Sequence, residues 1–495
     1  MFWLMLTVAV PALAVVAVAG AQEPLNVGSR LELFVDGTLV QELRGGAERR
    51  LHEPVPREVA IVHDQPWEGS GSMYTTVFRD GPLYRMYYRG HHGVYQADGY
   101  EMIHEEVTCY AESTDGVAWT KPELGLFEFA GSTQNNIILT ATVAGDATHN
   151  FCPFVDTRPG VPADERYKAL GGVTGGLRAF VSADGVRWRR LREEPVITVG
   201  AFDSQNLAFW DAIRGEYREY HRDSRDGRDI RTSTSQDFAN WTEPVFLDYA
   251  PGRVSELYTS QIIPYYRAPH IFLGFPTRYL DRGWSPSMEF LPQLEYRRLR
   301  SSSSPREGTA LTDGMLMSSR DGQLFQVWPE SFIRPGPRRR DNWFYGDNYQ
   351  SWGLVETQSP LEGAPDELSI YVSEGVGQNG PCRHRRFTLR VDGFVSVWAP
   401  LSGGELTTRP LVFEGRELVL NSATSAAGSV RVELQGEDGV PLPGRSLDDC
   451  AEVFGDSLER VVPWRDGGDV GAQSGKPVRL RFELRDADLY SFRFR

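Results

Sequence analysis

Apolar residues along this chain fall in short alternating or continuous runs, not at helical spacing. The runs are rich in Val, Ile, Phe, Tyr and Trp and are bounded by Gly, Asp or Pro, the pattern of half-buried strands. Long amphipathic helical windows are absent. The runs form five groups. The first is 73–78, 83–89 and 107–112, the second 151–155, 167–171 and 177–182, and the third 207–210, 216–221 and 229–234. The fourth is 258–264, 270–276 and 315–319, interrupted by an insertion over 278–312. The fifth is 351–356, 368–373 and 386–391, with 394–398 as its outer strand.

Four groups end on nearly the same signal. It reads Ser113-Thr114-Asp115-Gly116, then Ser182-Ala183-Asp184-Gly185, Ser235-Gln236-Asp237-Phe238 and Ser319-Arg320-Asp321-Gly322. An aromatic follows at fixed spacing: Trp119, Trp188, Trp241 and Phe325. Asp bonds its own backbone and Gly accepts positive φ, so each signal closes a hairpin. A repeated hairpin with a repeated inward aromatic predicts an all-β chain built as a five-bladed β-propeller over 59–400. The turns fall on the outer rim, where their role is structural. After residue 399 these signals stop. Alternating strands at 418–421, 429–434, 478–484 and 489–494 predict a separate antiparallel β-sandwich over 401–495. Residues 22–58 hold one early strand, 31–35, expected to wrap the propeller.

Charge and composition narrow the partners. The formal net charge of -15 argues against nucleic acid or an anionic membrane surface. Residues 1–21 form an uncharged apolar run, and Ala19-Gly20-Ala21 fits a small-x-small cleavage site. A signal peptide and a secreted, periplasmic or extracellular protein follow, with a retained anchor as the alternative. No other run is long and apolar enough to span a bilayer, so no stable membrane insertion is expected after cleavage. Cys109, Cys152, Cys382 and Cys450 lack CxxC spacing, which gives no indication of zinc; Cys109 and Cys152 read as buried thiols.

The architecture resembles that of the invertase/inulinase-type glycoside hydrolases of family 32, and its propeller that of the arabinanase/xylosidase type of family 43. The closing stretches Gly475-Lys476-Pro477-Val478-Arg479-Leu480-Arg481-Phe482 and Asp486-Ala487-Asp488-Leu489-Tyr490-Ser491-Phe492 resemble the sandwich of such enzymes. The fructosidase motifs are replaced. Pro66-Trp67-Glu68-Gly69-Ser70 stands for Asn-Asp-Pro-Asn, Asn150-Phe151-Cys152-Pro153 for Arg-Asp-Pro, and Phe202-Asp203-Ser204-Gln205-Asn206 for Glu-Cys. The resemblance therefore implies no fructan substrate and transfers no catalytic acid.

Blade geometry gives an independent route to the site. The start of each first strand and the end of each second strand face one end of a propeller. These places supply Glu68, His149, Asn150, Asp203, Asn206, Glu256 and Tyr258, then Arg89, His91, His92, Arg222, Arg278 and Glu374. Glycoside hydrolysis needs two carboxyl groups. Glu256 is the favoured general acid, Asp203 the base or nucleophile, and Glu68 a substitute or a tuning group. Arg89, Arg222 and Arg278 suggest an anionic sugar. Adjacent His91 and His92 point apart, which disfavours a metal site with His149. No cofactor is called for; a structural calcium on the axis stays open, with no motif to identify it. Trp67, Trp284 and Trp352 are candidate sugar-stacking residues, though core packing is the commoner fate of Trp. The expected function is a secreted glycoside hydrolase acting on a plant or algal poly- or oligosaccharide. A non-catalytic glycan-binding propeller and a uronate lyase using a His/Tyr pair are the alternatives.

Overall fold

Five sheets follow one another along the chain in the computed structural model, which describes residues 23–495. The signal-peptide expectation falls on residues outside those described. The first sheet orders Thr76–Asp80, Leu83–Gly90, Val107–Ser113 and Ile137–Thr140 side by side. The second orders Cys152–Val155, Tyr167–Gly171, Arg178–Ser182 and Arg189–Arg190, and the third Leu207–Asp211, Glu216–Ser224, Arg228–Ser235 and Val245–Phe246. The fourth uses Ile263–Tyr265, Ala268–Gly274, Met317–Ser319 and Leu324–Val327, with Asp248–Ala250 added parallel to the last. The fifth uses Val355–Thr357, Glu367–Glu374 and Arg383–Arg390. Short hairpins keep neighbours antiparallel, so the all-β reading of the alternation holds.

The outermost strand of the fifth sheet corrects the sequence reading. It is Val55–Val62, not 394–398. Val395–Ala399 instead pairs with Glu48–Leu51 and Pro477–Phe494. The diversion occurs at Asp392, which has φ +63° and is fully buried. Its carboxylate accepts the Tyr265 hydroxyl at 2.6 Å, Ser491 Oγ at 2.9 Å and Asn421 Nδ2 at 3.1 Å. Those partners lie on two different sheets, so a turn that reads locally as a hairpin becomes a junction.

The four Ser-x-Asp turns share one hydrogen-bond pattern. Asp115 Oδ1 accepts the Val117 and Ala118 amides at 2.7 and 2.9 Å, and Ser113 Oγ accepts the Gly116 amide at 2.9 Å. The same bonds recur around Asp184, Asp237 and Asp321. Residues 116, 185, 238 and 322 all have positive φ, and Phe238 accepts it without being glycine. Three of these turns are also held by the preceding sheet. Gly322 O accepts the Tyr220 hydroxyl at 2.8 Å, Asp184 O accepts Arg85 Nη1 at 2.8 Å, and Gly116 O accepts the Tyr371 hydroxyl of the fifth sheet. The repeat therefore staples sheet to sheet, and the last example links the first sheet to the fifth.

The first strands also meet. Gln205 Nε2 donates to Thr75 O at 3.2 Å and Thr76 Oγ1 at 3.0 Å. Gln261 Nε2 donates to Gln205 Oε1 and to Gln350 O, both at 2.7 Å. Cys152 Sγ lies 3.6 Å from Gln205 Nε2. Each first strand, or the residues that lead into it, thus contributes to a single buried polar network.

Two small sheets pair Glu256–Leu257 with Thr277–Asp281 and Ala310–Gly314, and Gly93–Gln96 with Gly99–Met102. The remaining strands form a ten-stranded sheet from both ends of the described chain. Its backbone is two 18-residue strands, Leu418–Gln435 and Pro477–Phe494. The sequence reading broke each in two at small or polar residues. The structure carries them through with register shifts between Asn421 and Ser422 and between Thr424 and Ser429. Early strands Leu25–Gly28, Glu32–Leu33, Val40–Gly45 and Glu48–Leu51 join this sheet. Its core packs Phe413 on Phe494 with ring centres 3.8 Å apart.

Helices occur mainly in the fourth group's insertion: Pro286–Glu289, Leu294–Ser303 and Pro305–Thr309. Hydrophobic periodicity does not reveal Leu294–Ser303, because its buried face carries Arg297 and Arg300. Arg297 donates Nε to Pro292 O and Nη2 to Trp343 O, and its guanidinium lies 3.8 Å from the centre of the Phe344 ring. Burial, and then the neighbouring charge of Arg300, lower the Arg297 pKa to about 10 against the opposing effect of Asp347. All four cysteines are buried free thiols.

Candidate active site

The loops that lead into the first strands surround a cavity of about 200 Å³. Tyr74, Arg89 and His91 come from the first sheet, His149 from the turn before the second, Asp203 from the loop before the third and Tyr258 from the approach to the fourth. Tyr345 and Tyr349 precede the fifth, and the helical insertion adds Arg300, Arg306 and Glu307. Tyr74 has φ +54°, an uncommon conformation for a non-glycine residue.

Two asparagines fix the Asp203 loop. Asn150 Nδ2 donates to Phe202 O and Ser204 O, both at 2.8 Å, and to Gly172 O at 2.9 Å. Asn206 Nδ2 reaches the same Phe202 and Ser204 carbonyls at 2.9 and 3.0 Å. Both were expected to bind substrate. Their amides are spent on backbone, so they position Asp203.

Glu106 is the electrostatic centre of one wall. Its carboxylate lies 3.3 Å from Arg89 Nη1, 3.2 Å from His91 Nδ1 and 2.9 Å from His149 Nδ1. The other ring nitrogen of His149 lies 3.2 Å from Asp203 Oδ1. Carboxylate, imidazole and carboxylate thus run in line to the cavity. Burial, and then Arg89, would lower the His149 pKa; Asp203 and Glu106 outweigh both and hold it above its ordinary value. The imidazolium in turn lowers Asp203 to about 2 against the effect of burial, with Arg222 and Arg89 helping. Burial would raise Glu106, but Arg89 and the two histidines keep it far below the usual carboxylate range.

The insertion builds the other wall. Glu307 Oε2 accepts the Tyr95 hydroxyl at 2.9 Å and Arg300 Nη2 at 3.1 Å, while Oε1 lies 3.8 Å from Arg306 Nη2. The rings of Tyr258 and Tyr349 stand 5.5 Å apart, those of Tyr258 and Tyr345 6.0 Å. Desolvation pushes the phenols of Tyr74, Tyr258, Tyr345 and Tyr349 well up.

Of the residues singled out from sequence, Arg89, His91, His149, Asp203 and Tyr258 are brought together here. Glu68 is not: its buried carboxylate accepts the Tyr88 hydroxyl at 2.5 Å and Lys121 Nζ at 2.6 Å. Glu256 also lies outside the lining, paired with Arg228 Nη1 at 2.8 Å. Arg278 pairs with Asp313 and turns into a different cleft. Glu374 is enclosed by Arg339, Arg383 and Arg385, and His92 Nδ1 meets the Ser70 amide at 3.3 Å. Arg222 stands just behind, 5.5 Å from the centre of the Tyr258 ring. The three tryptophans go elsewhere: Trp67 donates to Asn136, Trp352 is buried and donates to Ile262 O, and Trp284 is exposed. Among the described residues no group of three or more His, Cys, Asp or Glu side chains is arranged to hold a metal ion.

Sequence reasoning missed Glu106, Glu307, Arg300, Arg306 and the Tyr345–Tyr349 pair. Glu106 was within reach, because the start of a third strand faces the same end as the finish of the second. The insertion residues carry no periodic signal that would place them.

No family model matches the chain, and no curated protein matches it. Solved structures do. One is an N-acetylgalactosamine deacetylase from F. plautii in complex with blood group B trisaccharide, 14% identical over 71% of this chain and 95% of that one, TM-score 0.41. Another is the beta-1,2-mannobiose phosphorylase of Listeria innocua, 12% identical over 69% and 97%, TM-score 0.37. A third is a fructofuranosidase of Schwanniomyces occidentalis complexed with fructosylnystose, 11% identical over 90% and 96%, TM-score 0.34.

Proposed function

We propose that the five sheets are the blades of a five-bladed propeller, that the ten-stranded sheet folds as a sandwich beside it, and that the chain is a glycoside hydrolase. On this reading it acts outside the cytoplasm on a plant or algal poly- or oligosaccharide after residues 1–21 are removed. The observation that carries the reading is the convergence of Asp203 and Glu307, from a blade loop and from the insertion, on one small cavity.

Asp203, kept ionised by His149, attacks the anomeric carbon or takes a proton from the attacking water. Glu307 gives a proton from Oε1 to the leaving glycosidic oxygen, since Oε2 is already occupied by Tyr95 and Arg300. The C–O bond breaks with its electron pair on that oxygen, and water supplies the new hydroxyl of the sugar. Tyr258 and Tyr349 offer ring faces and hydroxyls to the bound ring. A lyase needs a ready base at the sugar C–H. The raised phenols are poor bases near neutral pH, and both ring nitrogens of His149 are engaged by Glu106 and Asp203, which favours hydrolysis.

The test is turnover on pooled polysaccharides with reducing-end detection. Asp203→Asn and Glu307→Gln should each lower kcat by about 10²–10⁴-fold while oligosaccharide binding persists. Unchanged turnover in both variants defeats the reading. Binding without any product supports the non-catalytic alternative, and unsaturated products support a lyase.

A further inference from the structure

Three arginines line the cavity, and they differ in what holds them. Arg89 donates Nε and Nη2 to Gly71 O at 3.1 and 2.8 Å, and its Nη1 faces Glu106. Arg300 donates Nη1 to Val376 O at 3.3 Å and Nη2 to Glu307 at 3.1 Å and Tyr345 O at 3.3 Å. Arg306 is held by fewer groups, the Tyr279 hydroxyl and Glu307, and none of them is a backbone carbonyl. Its Nη1 is buried and makes no hydrogen bond, and its Nη2 stands 3.8 Å from a Glu307 carboxylate that Arg300 already holds. Its guanidinium lies 5.3 Å from the centre of the Tyr345 ring.

The position of Arg306 is set in advance. Arg297 and Arg300, one helical turn apart, anchor the insertion to Trp343 O, Tyr345 O and Val376 O. The short helix Pro305–Thr309 follows directly and delivers Arg306 to the cavity. A guanidinium with one buried nitrogen unpartnered, set against an aromatic wall, has a place left for an oxyanion, whose geometry its planar fork matches. The net charge of -15 gives no long-range attraction for anions, so recognition falls to such a short-range contact.

We propose that the substrate sugar bears an anionic oxyacid substituent, a carboxylate or a sulfate ester, and that Arg306 binds it. This rests on the glycan reading above. It replaces Arg278, whose fork Asp313 occupies, as the anion-binding residue.

Calorimetric titration of the full chain tests it with two matched pairs of probes. One pair is oligogalacturonides and their methyl esters; the other is sulfated galactan oligosaccharides and their desulfated forms. In one pair the charged member should bind about tenfold or more tightly than its neutral counterpart, and which pair does so identifies carboxylate or sulfate. The preference should weaken between about 50 and 500 mM salt, vanish in Arg306→Ala and survive in part in Arg306→Lys, with circular dichroism confirming both folds. Equal binding of charged and neutral members in both pairs overturns the proposal, as does a preference intact in Arg306→Ala. If neutral oligosaccharides are hydrolysed in an Asp203-dependent way without charge preference, the anion seat fails alone. If no oligosaccharide binds or is cleaved, the glycan reading fails with it.

Discussion

The cavity at the leading ends of the inner strands and the cleft at their trailing ends use the same five strands and share little chemistry. The leading-end cavity is the smaller, about 200 Å³, yet Asp203, Glu307, His149 and three arginines face it. The trailing-end cleft is about 620 Å³ and is lined by Phe78, Phe154, Phe209, Trp210, Tyr266 and Trp352, with Arg79 and Glu356 its only charged residues. Connection length explains the contrast. At the trailing end Val155 to Tyr167 and Thr357 to Glu367 are longer loops, while three of the five sheets join their first and second strands by short turns, Asp80 to Leu83, Asp211 to Glu216 and Tyr265 to Ala268. Such turns have no room for functional side chains. At the leading end the first sheet inserts the hairpin Gly93–Gln96 with Gly99–Met102, and the fourth inserts three helices. Chemistry accumulates where loops are free to grow, and cavity size alone points to the wrong end.

The largest expected effect that separates the two ends is structural. Phe209 is 5% exposed, with Phe272 and Tyr220 at ring-centre distances of 5.9 and 6.2 Å. Phe209→Ala should lower unfolding free energy by about 3–5 kcal/mol, measured by denaturant titration. The kcat/KM of the folded protein should stay within about twofold of the parent. A marked fall in kcat/KM of the folded fraction would show that the two ends are coupled and would break the comparison.

A second prediction stays at the leading end. Glu106 touches His149, not the cavity's open space, so it acts as a positioning residue. Glu106→Gln should lower kcat by about 10–100-fold with little change in KM. The pH profile distinguishes this from simple damage. Glu106 and Asp203 both favour the imidazolium and hold His149 above its ordinary pKa. Removing one carboxylate lowers that pKa. A step that needs charged His149 is lost as pH rises, so the alkaline limb of the kcat profile should move to lower pH. An unmoved limb would assign Glu106 a purely structural part.

The same contrast explains what the sequence disclosed. Strand groups were legible because first strands such as Cys152–Val155 and Leu207–Asp211 bury both faces and each turn repeats one bonding scheme, as at Asp115 and Asp184. The loop ends followed from strand order, which is why Asp203, His149, Arg89 and Tyr258 were found without a motif. Glu256 and Arg278 come from the same short sheet of Glu256–Leu257, Thr277–Asp281 and Ala310–Gly314, and local partners, Arg228 and Asp313, turned both away. Strand position says which end a residue occupies. It does not say which neighbour claims the side chain first. Glu307 and Arg306 stayed hidden because the helix before them buries arginines, a pattern that reads as solvent-exposed.

The smallest effect belongs to the feature most visible in the sequence. Asp184 Oδ1 accepts the Val186 and Arg187 amides at 2.8 and 2.7 Å, on the rim and away from both cavities. Asp184→Ala removes those two bonds and the contacts from Ser182 Oγ and Arg187 Nη1, all partly solvated; water replaces much of what they contribute, so the loss should be about 1 kcal/mol of stability. Gly185 keeps the turn's positive φ, and Arg85 still holds the residue 184 carbonyl, so the sheet-to-sheet staple survives. The expected result is a melting temperature lower by about one degree with kcat and KM unchanged. A kinetic change would mean that the rim turn transmits to the leading end. That would place the repeat inside the working part of the molecule, where its constancy from sheet to sheet would have no physical reason.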